Sequence, residues 1–126
     1  MKRRFIMARI INLTQHAATS DQVSAGVFEP ADKSAVAALL TFEEPPTKEE
    51  RAVRAATLAE MAVATEAEVA MIGGAPFFTS ALEAALKDRG VRPVHAFSRR
   101  ESVEKKLPDG SVQKTQVFRH AGWVEA

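Results

Sequence analysis

The chain has 126 residues, a formal net charge of +1, 46% hydrophobic and 26% charged residues, and no cysteine. That length supports one domain with a real core, and that hydrophobic content excludes a disordered chain. Without cysteine there can be no disulfide, thiolate metal site or cysteine nucleophile, a composition that fits a reducing, cytoplasmic setting.

The chain opens on "MKRRFIMARIINL", which gathers Lys2, Arg3, Arg4 and Arg9. Arg9 interrupts the apolar run and no small-residue cleavage pattern follows, so this is not read as a secretory signal. Residues 1–5 read as a flexible basic lead, with the functional chain starting at Met7. No stretch reaches the length of a membrane span, and no membrane partner is expected.

Residues 6–12 are rich in strand formers and predict a first strand. Thr19 followed by Gln22 is a capping box for a short helix through Ala25, which Gly26 ends. Pro30 and Asp32 introduce a second helix with Val36, Leu39 and Leu40 on one face. "EEPP" stops it, because an internal proline removes a hydrogen bond and clashes with the preceding turn. Thr47 caps the longest helix, 48–64, whose alanines favour helix by intrinsic propensity.

"AEVAMIGG" reads as a buried strand over 68–72, ending in paired glycines. "APFFTSALEAALKDRG" supplies another helix, closed by Gly90, and "VRPVHAF" a strand over 93–97. "SVEKKLPDGSVQKTQVF" places two strand-like arms around Asp109-Gly110, a hairpin signal, with one face expected to stay wet. The whole chain, 1–126, is therefore expected to form a single α/β domain. Its expected architecture is a three-layer, Rossmann-like fold with a mainly parallel sheet and a C-terminal β-hairpin.

Charge divides along the chain. Residues 21–70 hold ten acids against four bases, and residues 89–119 hold eight bases against three acids. Such asymmetry can signal an anionic partner, but before any motif is considered the plain account, an acidic helix pair beside a basic hairpin, is the better one.

In an open parallel sheet, ligands approach the carboxyl ends of the strands. Three segments are expected there: Asn12 to His16, Gly73 to Pro76, and Ser98 to Ser102. Gly73 and Gly74 allow a tight turn and a close approach of ligand to backbone, while the next helix offers unpaired amides to an anion. Packing alone explains such glycines equally well, and neither G-x-G-x-x-G nor a phosphate-loop lysine is present. Ser98 and Arg99 or Arg100 are suited to gripping a phosphate, Arg100 being the one expected to point at it; surface ion pairing with Glu101 or Glu104 is the plain alternative.

His16 is a candidate acid or base. Asn12, Thr14 and Gln15 are candidates to orient a ribose, a base edge or a phosphate; the alternative is that Asn12 and Thr14 cap the strand end while Gln15 and His16 face solvent. His95 reads as structural. With three histidines in all and no H-x-x-x-H spacing, no metal and no cofactor is expected. The assigned residues are thus His16 and Arg100 for catalysis, and Asn12, Thr14, Gln15, Gly73, Gly74, Ser98, Arg99 and Arg100 for ligand binding. Phosphodiester cleavage would need no metal where RNA supplies its own 2′-hydroxyl nucleophile, leaving positioning and positive charge to the protein.

"INLTQHAATSDQ", "AMIGGAPFFTSALEAALKDRG" and "HAFSRRESVE" resemble the landmarks of a scattered, uncharacterised family of bacterial and phage proteins. More distantly the layout resembles small CRISPR-associated proteins of CARF-like, ring-nuclease type, in which Asn12, Thr14, His16, Thr19 and Gln22 would match the opening motif. That resemblance implies a Rossmann-type fold and cyclic oligoadenylate binding, with cleavage in some members at a homodimer interface. The expected partners are a nucleotide-like or phosphate-bearing small molecule and a second copy of the chain, as a homodimer. Two other readings stand beside it: a noncatalytic interaction or regulatory domain, and nonspecific nucleic-acid binding through the basic hairpin. For the latter, only Phe118 and Trp123 offer stacking surfaces near the bases.

Overall fold

The computed structural model describes residues 9–126, so the basic lead and the first part of the expected opening strand lie outside it. The elements run β1 (Ile10–Leu13), α1 (Ser20–Ser24), β2 (Val27–Phe28), α2 (Lys33–Leu40), α3 (Lys48–Ala64), β3 (Val69–Ile72), α4 (Pro76–Asp88), β4 (Arg92–Lys106) and β5 (Val112–Glu125).

The helix starts follow from their caps. Thr19 and Gln22 make the full capping box of α1, and the side chains of Asp32 and Thr47 accept from Ala35 and Glu50 amides at the starts of α2 and α3. Arg54 joins the ends of α2 and α3. Its Nη1 donates to the Thr41 carbonyl at 2.6 Å, its Nη2 meets Glu50 at 3.0 Å, and its guanidinium lies over the Phe42 ring.

The five strands form one sheet in the order β2-β1-β3-β4-β5. β2, β1, β3 and the start of β4 are parallel, whereas β4 and β5 are antiparallel from Val94↔Glu125 to Lys106↔Val112. The fold is thus α/β with a mixed sheet, not the mainly parallel one expected. The antiparallel ladder is longer than the three parallel pairings combined, because β4 does not stop at residue 97.

Strand alternation sorts the core. Ile11, Leu13, Ala70 and Ile72 face one way and pack with Leu58, Phe78, Leu82 and the other buried residues of α2, α3 and α4. Ile10, Val27, Val69, Met71 and Val94 form a smaller cluster on the opposite face, against Ala18 and Trp123. The long helices therefore share one face of the sheet, and the three-layer arrangement expected from the sequence is not what these contacts describe. Among the described residues, no helix is long and apolar enough to cross a membrane.

The hairpin also departs from expectation. Residues 98–106 and 112–116 are all exposed, so this part of the ribbon has water on both faces, not one. It leaves the body at a β-bulge between Phe97 and Ser98 and closes through Asp109, whose carboxylate accepts from the Ser111 amide, and Gly110 at φ +88°. We refer to it as the arm.

Candidate functional site

β1 delivers its polar residues to the carboxyl end of the sheet, where Asn12 is fully buried. Its Oδ1 accepts from the Thr14 amide at 3.0 Å and the Thr14 hydroxyl at 2.7 Å. Its Nδ2 donates to the His16 carbonyl at 2.7 Å and to Glu29 Oε1 at 2.8 Å. An asparagine bonding the backbone two residues on mimics a turn, and here it bends the chain sharply out of the strand.

Glu29 and Lys33 complete the lock. Glu29 Oε2 accepts from the Ala18 amide at 2.7 Å, and Lys33 Nζ donates to the carbonyls of Thr14 at 2.8 Å and His16 at 3.1 Å. The two side chains form an ion pair at 3.2 Å. Burial pushes the Glu29 carboxyl upward, but the Ala18 amide, Lys33 and Asn12 together outweigh it and hold the group below its ordinary 4.5. Asn12 thus spends its hydrogen bonds inside the protein, shaping the 14–18 loop from behind.

In front of that loop is a cleft of about 370 Å³, whose lining includes Thr14, Gln15, His16, Gly73, Gly74 and His95. It lies beyond the ends of β1, β3 and the body part of β4. Because β2 and β3 flank β1 on opposite sides, the chain switches direction there, which is where open α/β sheets place their ligands. No aspartate or glutamate is among the lining residues.

Each lining segment has its own constraint. Gly74 sits at φ +118°, a conformation that a side chain would strain, whereas a Cβ on Gly73 would meet only Thr14 Cγ2 at 3.6 Å. α4 begins straight after this turn at Pro76, with Ala75 as a cap that offers no side-chain hydrogen bond. Its first amides therefore lack the partner that Thr19 or Thr47 gives the other helices. Gln15 lines the cleft while its Nε2 donates to Thr41 Oγ1 at the end of α2, 2.9 Å away. The exposed imidazole of His16 makes no hydrogen bond among the described residues.

The three segments expected to converge do so only in part. Residues 14–16 and the Gly73-Gly74 turn share the cleft, but Ser98, Arg99 and Arg100 are outside its lining. They pair with His120, Arg119 and Phe118 in the arm, and the Arg100 guanidinium lies 5.5 Å from the Phe118 ring centroid. No strand end turns these residues inward, because β4 runs straight through them.

His95, which reads as structural in the sequence, takes part in the lining instead, and its Nε2 lies 3.5 Å from Glu83 Oε1 of α4. Register places it there: Val94 aligns with Met71, so the next residue along β4 reaches the level where β3 is ending.

A family comparison covers almost all of this architecture: residues 8–124, from just before β1 into the last residues of β5, match one family model. The chain belongs to the uncharacterized protein MJ1673 family. The match takes in both the MJ1673-family cleft and its arm. No curated protein and no solved structure shows significant similarity to the chain.

Proposed function

We propose that the cleft at the ends of β1 and β3 binds a nucleotide-like anionic ligand. The observation that carries this reading is the meeting, at the switch in strand order, of the 14–16 loop with the Gly73-Gly74 turn in a lining without carboxylates. The α4 amides beside that turn suit a phosphate, and Thr14, Gln15, His16 and His95 bring polar side chains around it. Cyclic oligoadenylates are the ligand class to which the CARF-like, Rossmann-type resemblance of the opening motif leads.

Such a ligand carries a 2′-hydroxyl beside each phosphodiester, so cleavage would need positioning and proton transfer but no metal. The His16 imidazole, exposed and without a hydrogen bond among the described residues, suits the second task.

Incubating the protein with adenosine monophosphate, cyclic tri-, tetra- and hexa-adenylate and a single-stranded RNA tests binding and cleavage together. Gly73→Leu puts bulk into the mouth at a position where the backbone tolerates a side chain; it is expected to weaken ligand binding at least tenfold without unfolding the protein. His16→Ala is expected to spare binding and slow any cleavage. Failure of every nucleotide to bind would overturn the proposal. Retention of RNA that is equally strong in Gly73→Leu and falls steeply with salt would move the function to the arm.

A further inference from the structure

The arm and one acidic corner of the body lie at the same end of the molecule. β4 runs parallel to β3 and continues past its end, so the arm projects from the carboxyl rim of the sheet. The α2–α3 corner reaches that rim as well, because Thr41 is tied to Gln15 and Phe42 packs on Phe77 and Phe78 in the first turn of α4.

Their surfaces are opposite in kind. Residues 97–120 hold six bases against three acids, whereas residues 9–96 hold eight bases against twelve acids. Near the arm's end, Lys105 and Lys106 have no ion-pair partner among the described residues. On the face they share by pairing, Arg100, Phe118, Lys106 and Val112 combine charge with exposed apolar surface, Phe118 at 69%. The corner holds a groove of about 440 Å³ lined by Phe42, Glu43, Glu44, Pro45, Pro46 and Phe77, with Arg51 at its side. Glu43 and Glu44 likewise lack an ion-pair partner among the described residues, and Phe77 is half exposed.

A two-stranded ribbon alone in water is marginal and gains most from a surface to lie on. Residues 98–106 are all exposed, so the arm does not lie on its own corner. We infer that it lies on the corner of a second copy of this chain, two copies meeting rim to rim about a two-fold axis. Each arm seats Lys106 and, across the ribbon from it, Val112 against the other's Glu43, Glu44, Phe42 and Phe77, while Lys105 on the opposite face adds positive charge at the same place. Nine residues of extended strand reach about 30 Å, enough to cross a partner's rim. The contact is isologous, so it closes as a dimer and does not propagate. It stands apart from the ligand reading above.

Charge reversal tests it. Lys105→Glu with Lys106→Glu makes arm and corner both acidic; Glu43→Lys with Glu44→Lys makes both basic. By light scattering with size exclusion at micromolar concentration, the unaltered protein is expected at twice the chain mass and each double variant at half that value. An equimolar mixture of the two is expected to recover the doubled mass, since both contacts in the mixed pair are attractive. All four positions are exposed, and recovery in the mixture shows that both variants are folded. A monomeric unaltered protein, variants that remain dimeric, or a mixture that stays monomeric would each overturn the inference. A monomer whose salt-sensitive nucleic-acid binding disappears with Lys105→Glu and Lys106→Glu would overturn it in favour of a nucleic-acid arm.

Discussion

As far as Val94, β4 is a body strand, hydrogen-bonded to β3 and β5 and packed against Val69 and Met71. From Ser98 to Lys106 it has solvent on both faces and β5 as its partner. The body part is held by apolar burial, the arm by a backbone ladder and a few cross-strand pairs such as Arg119–Glu101 at 3.2 Å. Continuity of a strand is therefore no guide to the continuity of its stability, which follows the buried contacts.

The sharpest way to break this comparison is to make one substitution in both regions. Phe78 is 1% exposed, between α4 and the core, whereas Phe118 is 69% exposed on the arm. Phe78→Ala is expected to cost about 3–5 kcal/mol, from lost transfer energy and the cavity left behind. Phe118→Ala is expected to stay within about 0.5 kcal/mol under conditions that keep the chain monomeric. Urea denaturation of both variants measures the gap, and similar losses would show that the arm is part of the cooperative core.

The next effect concerns the polar seam behind the cleft. Asn12→Ala removes the two donor and two acceptor contacts of a fully buried side chain and leaves Thr14, the His16 carbonyl and Glu29 each short of a partner. The expected loss is about 1–3 kcal/mol in denaturant unfolding. A loss near zero would mean that water replaces the amide freely and that the seam does not hold the loop.

What the sequence disclosed divides along the same boundary. Caps and apolar periodicity are local, and they located the body elements closely: the longest helix was expected at 48–64 and is Lys48–Ala64. β2 escaped notice because two residues have no period. The apolar run that marks a strand in the sequence ends at Phe97, whereas β4 continues to Lys106. Beyond Phe97 no face is buried, so charged residues occupy a strand that only the hydrogen bonds to β5 define. The cleft was legible where a topological rule applied, at residues 14–16 and Gly73-Gly74. That rule failed for Ser98 to Arg100, since it assumes that strands stop at the rim. Asn12 was ambiguous by nature, because a polar residue at a strand end can serve a ligand or a turn, and only its fully buried position separates the two.

The smallest effect is a test of how the rim loop, unlike the arm, depends on acid. Glu29 has a folded-state value below its ordinary 4.5, so its stabilising contribution is complete above that value and is lost as pH falls through the folded one. Glu29→Gln keeps the shape and one acceptor for the Ala18 amide but gives up the charge opposite Lys33. At neutral pH the variant is expected to be less stable, by under about 1 kcal/mol because the pair is partly open to water. Below the folded value the two proteins should converge, since the native carboxyl is then also neutral. Asp109, held low by the Ser111 hydroxyl and amide at the tip of the arm, is common to both proteins and cancels from the difference. Melting both from neutral pH down through the carboxylate range reads the effect as a narrowing gap. A gap that stays constant would place the seam's strength in geometry and not in charge, and would make Lys33 a simple donor to the Thr14 and His16 carbonyls.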